Sequence, residues 1–92
     1  MITDWKKELE EAGFSYMHAV KEVRIETRRN GAEGWAEQYV VVWLALEKAN
    51  VHRKVEVSLD RLNTVGSGVF YLCDLANAAV KSMLAEIEGK HT

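Results

Sequence analysis

The 92-residue sequence predicts a small α+β domain, in which a three-stranded antiparallel meander carries a long C-terminal helix on one face. Two observations predict this class. Near both ends of the chain, apolar residues recur every three or four positions, which is typical of amphipathic helices. Between the ends they alternate with polar residues, which is typical of strands with one buried face. The predicted order is α-β-β-β-α, within a single domain spanning residues 1–92.

The first helix is predicted from four apolar residues spaced by three or four positions, namely Ile2, Trp5, Leu9 and Ala12. Charged residues fill the positions between them and form the solvated side. Thr3 or Asp4 can cap the start of this helix, and Gly13 can end it.

The first strand is predicted over Lys21–Arg28, where Val23, Ile25 and Thr27 alternate with charged residues. Val20 is out of phase with this alternation, so we expect an irregular or bulged start to the strand. The sequence NGAEG at 30–34 then supplies turn residues, since Asn and Gly tolerate positive φ. A hairpin into the second strand, QYVVVWLALE at 38–47, follows from this order.

The third strand is predicted from Val51 to Asp60, after a turn over Glu47–Asn50. Short turns join the second strand to both neighbours, so we expect it in the centre of the sheet. A loop, LNTVGSG, should lead to the longest helix at about Val69–Glu88, capped by Ser67 and ended by Gly89. Its apolar arc comprises Leu72, Ala76, Ala79, Val80, Met83, Leu84 and Ile87.

The second strand is apolar on both of its faces, whereas its neighbours are apolar on one. Its purely aliphatic set, Val40, Val42, Leu44 and Leu46, fits the core under the last helix. The other set, Tyr39, Val41 and Trp43, then lies on the opposite face among charged residues. The candidate partner-binding residues are therefore Tyr39, Val41, Trp43, Arg24, Arg28, His52 and Lys54, because aromatics amid mixed charge are typical of interfaces.

Three hypotheses compete for what covers this second face. The first helix could cover it through Trp5 and Leu9. A protein partner or a second copy of the chain could dock on it, forming a homodimer in the latter case. A single-stranded nucleic acid could stack bases on Tyr39 and Trp43 while nearby cations, Arg28 among them, meet phosphates.

Composition limits the classes of function. The formal net charge of −2 opposes general attraction to nucleic acid or anionic lipid. No segment approaches the roughly 20 apolar residues that span a bilayer, so we expect no membrane association. Cys73 is the single cysteine, which excludes an internal disulfide and fits a reducing compartment such as the cytoplasm. We expect it to be a buried, inert thiol.

We expect no enzyme, cofactor or metal. The histidines and Cys73 lack the spacing of a zinc site. The sequence Gly66-Ser67-Gly68 lacks the remainder of a phosphate-binding loop and fits a flexible turn. The main hypothesis is thus a non-enzymatic interaction domain, such as an adaptor, inhibitor or accessory protein. The alternative is a nucleic-acid-binding domain that uses the same face and the basic pair Arg28-Arg29.

The order α-β-β-β-α, with glycines before the last helix, is similar in outline to the double-stranded RNA-binding domain. In that family a lysine cluster at the start of the last helix grips phosphates. The matching positions here read Val69-Phe70-Tyr71-Leu72, and no lysine follows until Lys81. The resemblance therefore concerns topology and does not extend to the residues that carry the family's function.

Overall fold

The computed structural model describes residues 4–30, 34–64 and 68–90, which form an α+β fold. Its elements are α1 (Trp5–Glu11), β1 (Val20–Asn30), β2 (Trp35–Leu46), β3 (Val51–Ser58), α2 (Leu59–Thr64) and α3 (Gly68–Lys90). The strands form one antiparallel sheet in the order β1-β2-β3. The predicted fold class and the central position of β2 are therefore confirmed.

The hydrophobic core lies between one face of the sheet and the two helices α1 and α3. Its largest fully buried members on that side are Leu9 of α1, Val40, Val42 and Leu44 of β2, and Leu72, Val80 and Met83 of α3. Full burial of such a side chain contributes about 1.5–3 kcal/mol. The aliphatic set of β2 thus builds the core under the last helix, as predicted.

Local hydrogen bonds and backbone angles fix the ends of α1. The side chain of Asp4 accepts a hydrogen bond from the Lys7 N–H at 3.2 Å, which caps the first turn. Gly13 follows the helix with φ +85°, a conformation that favours glycine. Asp4 and Gly13 bound the helix as predicted, whereas Ile2 and Thr3 lie outside the described residues.

The hairpin of β1 and β2 is longer than predicted. The ladder continues through Arg29 opposite Ala36 and Asn30 opposite Trp35, so β2 begins three residues before Gln38. Residues 31–33 of the predicted turn lie outside the described residues. The register shifts between Val20 and the next ladder position, which confirms the expected bulge at the start of β1.

The end of the third strand was predicted wrongly. Leu59 and Asp60 belong to α2 and not to β3. The Arg61 N–H donates to the Ser58 Oγ at 3.2 Å, so a hydroxyl at the end of β3 caps the short helix. Leu62, expected in a loop, is buried in the core, and a Cβ at Gly68 would lie 2.2 Å from its carbonyl oxygen.

Helix α3 extends beyond its predicted end. It continues through Gly89 to Lys90, so the prediction that Gly89 ends it was wrong. Leu84 was assigned to the apolar arc but is exposed, whereas Ala79 and Ile87 are partly buried against the core. The predicted cap, Ser67, lies outside the described residues. Among the helices of the described residues, none is both long and apolar enough to cross a membrane.

Candidate protein-interaction face

The side of the sheet opposite α1 and α3 is called here the charged face. It carries the even-numbered residues of β1 from Glu22 onward, the even-numbered residues of β3 and the odd-numbered residues of β2, because side chains alternate along each strand. Val20 precedes the register shift of β1 and belongs to the core on the helix side. Arg24 lies opposite Val41, and Val41 lies opposite Glu56 on β3. The register therefore brings together all seven predicted partner-binding residues, Arg24, Arg28, Tyr39, Val41, Trp43, His52 and Lys54.

Helix α1 does not cover the charged face. Leu9 is a member of the helix-side core cluster, and Trp5 packs against that cluster. Among the described residues α1 and α3 therefore lie on the same side of the sheet. The hypothesis that the first helix covers Trp43 was wrong, because the apolar residues of α1 belong to or pack against the same core cluster as those of α3, on the other side of the sheet.

Val41 is fully buried although it does not belong to the helix-side cluster. Its cross-strand neighbours are Arg24 and Glu56, and its neighbours along β2 on this face are Tyr39 and Trp43. Long charged side chains cover apolar surface with their stems while their ends stay in water. These neighbours thus enclose Val41 within a single chain, and Val41 itself offers no surface to a partner.

Arg28 spans the sheet from one edge strand to the other. Its guanidinium donates to the two carboxylate oxygens of Glu56 at 2.9 and 2.7 Å. The same guanidinium lies over the ring of Tyr39, 4.5 Å from the ring centroid. This arrangement combines a bidentate ion pair with a cation–π contact, and it ties β1 to β3 across the central strand.

Glu56 is the hub of the ion pairs on the charged face. The hydrogen bonds from Arg28 and from Lys54, whose Nζ lies 2.8 Å from Glu56 Oε1, lower the pKa of this carboxyl from 4.5 to about 2. The hydrogen bond to Glu56 correspondingly raises the pKa of Arg28. Glu56 therefore keeps its negative charge over the pH range in which proteins ordinarily function.

The polar end of Tyr39 is also satisfied within the chain. Its hydroxyl donates to the Glu37 Oε2 at 2.6 Å. This hydrogen bond, together with the negative charge of Glu37, raises the pKa of the Tyr39 phenol. The phenol is thus held neutral, with one side of its ring occupied by Arg28.

Trp43 provides apolar surface on the charged face, at the end that lies away from the β1–β2 hairpin. The Nζ of Lys54 lies 5.0 Å from the centroid of its ring, and the Cζ of Arg24 lies 6.0 Å from it. Its indole N–H has no hydrogen-bond acceptor among the described residues. An open depression of about 330 Å³ adjoins it, lined by Lys21, Glu22, Arg24, Trp43, Leu44, Ala45 and His52.

Trp35 belongs to the charged face but was not predicted as a site residue. It is 76% exposed and lies opposite Asn30, at the hairpin end of the sheet. The sequence interpretation began the strand at Gln38 and so stopped short of it. Counting back from Trp43 in steps of two reaches Trp35, which is the signal that identifies it.

The described residues offer little for metal or redox chemistry. They contain no group of three or more His, Cys, Asp or Glu side chains placed to hold a metal ion. Cys73 is buried in α3, as predicted, and this burial raises the pKa of its thiol. His52 lies on the charged face with its Nε2 3.3 Å from the Asn50 Oδ1.

Comparison of the chain with models of protein families, with curated proteins and with solved structures gives no match in any of the three.

Proposed function

We propose that the chain is a small non-enzymatic interaction domain that binds a protein partner on the charged face. One observation carries the proposal: two tryptophans, a tyrosine and two arginines share this single face, namely Trp35, Trp43, Tyr39, Arg24 and Arg28. These three residue types are enriched at protein interfaces and dominate binding energy there. A second copy of the chain docked on this face is the self-associating form of the same proposal.

The charge pattern defines the chemistry of the partner. Four carboxylates, Glu22, Glu26, Glu37 and Glu56, share the face with the cations of Arg24, Arg28 and Lys54. A surface of uniform charge would meet repulsion at about half of these positions. The partner is therefore expected to carry both signs in alternation, because electrostatic complementarity sets specificity.

The exposed indole of Trp35 supplies an anchor at the hairpin end of the charged face. It is 76% exposed, and burying such a side chain in a partner would contribute about 2 kcal/mol. The depression beside Trp43 supplies the concave region at the other end. A partner that contacts both regions would lie along β2, over the ion pairs of Arg28.

Affinity capture with a matched pair of variants tests this proposal. Trp35→Ala removes the anchor on the charged face, whereas Phe70→Ala removes an aromatic that is 55% exposed on α3. We expect the wild type and Phe70→Ala to capture the same specific partner and Trp35→Ala to lose it. Calorimetric titration of each protein with the purified partner should confirm this difference in affinity. Equal retention by both variants would refute the assignment of the face.

A nucleic-acid interface is the second candidate function. The contacts of Arg28 with Tyr39 and of Lys54 with Trp43 place cations beside aromatic rings, as on surfaces that bind single strands. Glu56 opposes it, because it occupies both cations and stays ionised. This candidate predicts binding of labelled oligonucleotides that weakens with salt and with Arg28→Ala. If titration with labelled oligonucleotides at low salt shows no binding, the nucleic-acid candidate is refuted.

The compartment is part of the proposal. Cys73 is the one cysteine of the sequence and is buried as a free thiol. A fold without disulfides suits a reducing compartment, for which the cytoplasm is the simplest candidate.

A further inference from the structure

The outer edge of β1 is available for pairing with another strand. β1 is an edge strand of the described sheet, and its eleven residues make it long for an edge. Within the described residues, none of the backbone hydrogen bonds outside helices and strands involves the segment from Glu22 to Arg28. An edge of this kind presents unpaired N–H and C=O groups to any chain that can match it.

The charges along this edge form a pattern that is complementary to its own reverse. Glu22, Arg24, Glu26 and Arg28 alternate in sign on the charged face, and Ile25 lies at the centre of the series. Charged residues commonly protect an edge strand against pairing. A series that alternates about a central residue does the opposite for a second copy, because reversal places each cation opposite a carboxylate.

We propose that two copies of the chain pair antiparallel through β1, about a two-fold axis at Ile25. This register places Glu22 opposite Arg28 of the second copy and Arg24 opposite Glu26 of the second copy. Each pair occurs twice, which places opposite charges at four cross-strand positions. The two Arg24–Glu26 pairs next to the axis carry the register, because the guanidinium of Arg28 is already bound to Glu56 of its own chain. The result is a continuous six-stranded sheet in place of two exposed β1 edges.

Ile25 supports the same register from the other side of the sheet. It points to the helix side but is 37% exposed, so α1 and α3 leave it partly uncovered. In the proposed dimer it meets Ile25 of the second copy, and an apolar pair forms at the axis. The register of β1 with β2 shifts between Val20 and Glu22. The regular part of β1 therefore begins at Glu22, which is also the first residue of the charged series.

Neighbouring registers are disfavoured by the same charges. Moving the axis by one residue, to Arg24 or to Glu26, places like charges opposite each other, which is destabilising. The other edge strand, β3, is a weaker candidate. It has eight residues, and the residue between Lys54 and Glu56, Val55, is already buried in the core.

The proposed dimer does not depend on the partner-binding function. The two-fold axis is perpendicular to the sheet, so both charged faces lie on the same side of the dimer. The edge contact therefore leaves the proposed interaction surface open and doubles its length.

Sedimentation of two reciprocal charge variants tests this register. We expect the wild type to approach twice the 10.4 kDa mass of one chain as its concentration rises from 10 to about 500 µM. Arg24→Glu alone and Glu26→Arg alone should each weaken association by at least about tenfold. An equimolar mixture of the two should recover the dimer, because every altered position then faces the opposite charge.

Lys54→Glu, on the charged face but away from the β1 edge, is the control and should leave the dimer intact. Suppose that Lys54→Glu dissociates the dimer and that the mixture of Arg24→Glu and Glu26→Arg stays monomeric. The copies then meet through the charged face, and the edge proposal is wrong. A wild type that stays monomeric to 500 µM would also overturn it. If a charge variant fails to fold, amide hydrogen exchange of the wild type replaces it as the test. We expect protection of residues 22–28 to increase with protein concentration, and a lack of this increase would refute the edge contact.

Discussion

The guanidinium of Arg28 and the carboxylate of Glu56 form two hydrogen bonds, of 2.9 and 2.7 Å, across the full width of the three-stranded sheet. The ring of Tyr39 lies beneath the guanidinium. The two residues join edge strands that share no backbone hydrogen bond in this sheet, because β2 separates them. The pair therefore gives the charged face a tertiary link that the strand ladder does not supply.

A double-mutant cycle measures this link. We expect Arg28→Ala and Glu56→Ala each to lower the free energy of unfolding. The loss in the double variant should be smaller than the sum of the two single losses, because each single variant already removes the ion pair. Urea unfolding is the measurement. Arg28→Lys is the control, because it keeps the charge but loses the bidentate geometry. If the two single variants lower the free energy of unfolding by amounts that add up to the loss in the double variant, the two residues are not coupled.

Acid should destabilise the domain through Glu56. Its pKa is lowered from 4.5 to about 2 in the folded state, so its contribution to stability is present above pH 4.5 and is lost as pH falls toward 2. Thermal unfolding at pH 7, 4.5, 3 and 2 should show a smaller acid loss in Glu56→Gln than in wild type. Equal losses in the two proteins would assign the acid sensitivity to other carboxyls.

Two glycines of α3 should respond to alanine in opposite ways. A Cβ at Gly68 would lie 2.2 Å from the Leu62 carbonyl oxygen, so Gly68→Ala should destabilise the domain by about 1–3 kcal/mol. Apart from the neighbouring helix backbone, no atom of the described residues lies within 4 Å of a Cβ at Gly89, so Gly89→Ala should be neutral or stabilising by up to about 1 kcal/mol. Chemical denaturation checks both, and a stabilised Gly68→Ala variant would contradict the close approach of α2 and α3.

The thiol of Cys73 should react slowly in the native protein. Its burial raises the pKa and so reduces the fraction of thiolate, which is the reactive form. Labelling with a thiol-specific disulfide reagent at pH 8 should be at least about tenfold slower in buffer than in denaturant. Comparable rates in the two conditions would mean that α3 opens readily around this residue.

The sequence predicts the strands well because each alternation records which side of the sheet is buried. The division of β2 into Val40, Val42 and Leu44 on one side and Val41 on the other follows from that period alone. What covers Val41 does not follow from it. Arg24 and Glu56 appear as ordinary charged residues in the sequence, and only the register places both beside the same valine.

Helix α2 shows a second limit of the sequence interpretation. Leu59 continues the alternation of β3, so the strand pattern overruns the true boundary. The local signals of a helix are present in Ser58, which caps the Arg61 N–H, and in the three-residue spacing of Leu59 and Leu62. A six-residue helix is too short for periodicity to outweigh the preceding strand.

The sharing of Glu56 by Arg28 and Lys54 has a consequence for selectivity. Any acidic group that approaches this face has to compete with a carboxylate already bound within the chain. Such an internal competitor weakens every acidic ligand that offers only charge. An acidic ligand would bind Arg28 and Lys54 only if it made better-aligned hydrogen bonds to them than Glu56 does. The domain would therefore bind most acidic protein surfaces only weakly.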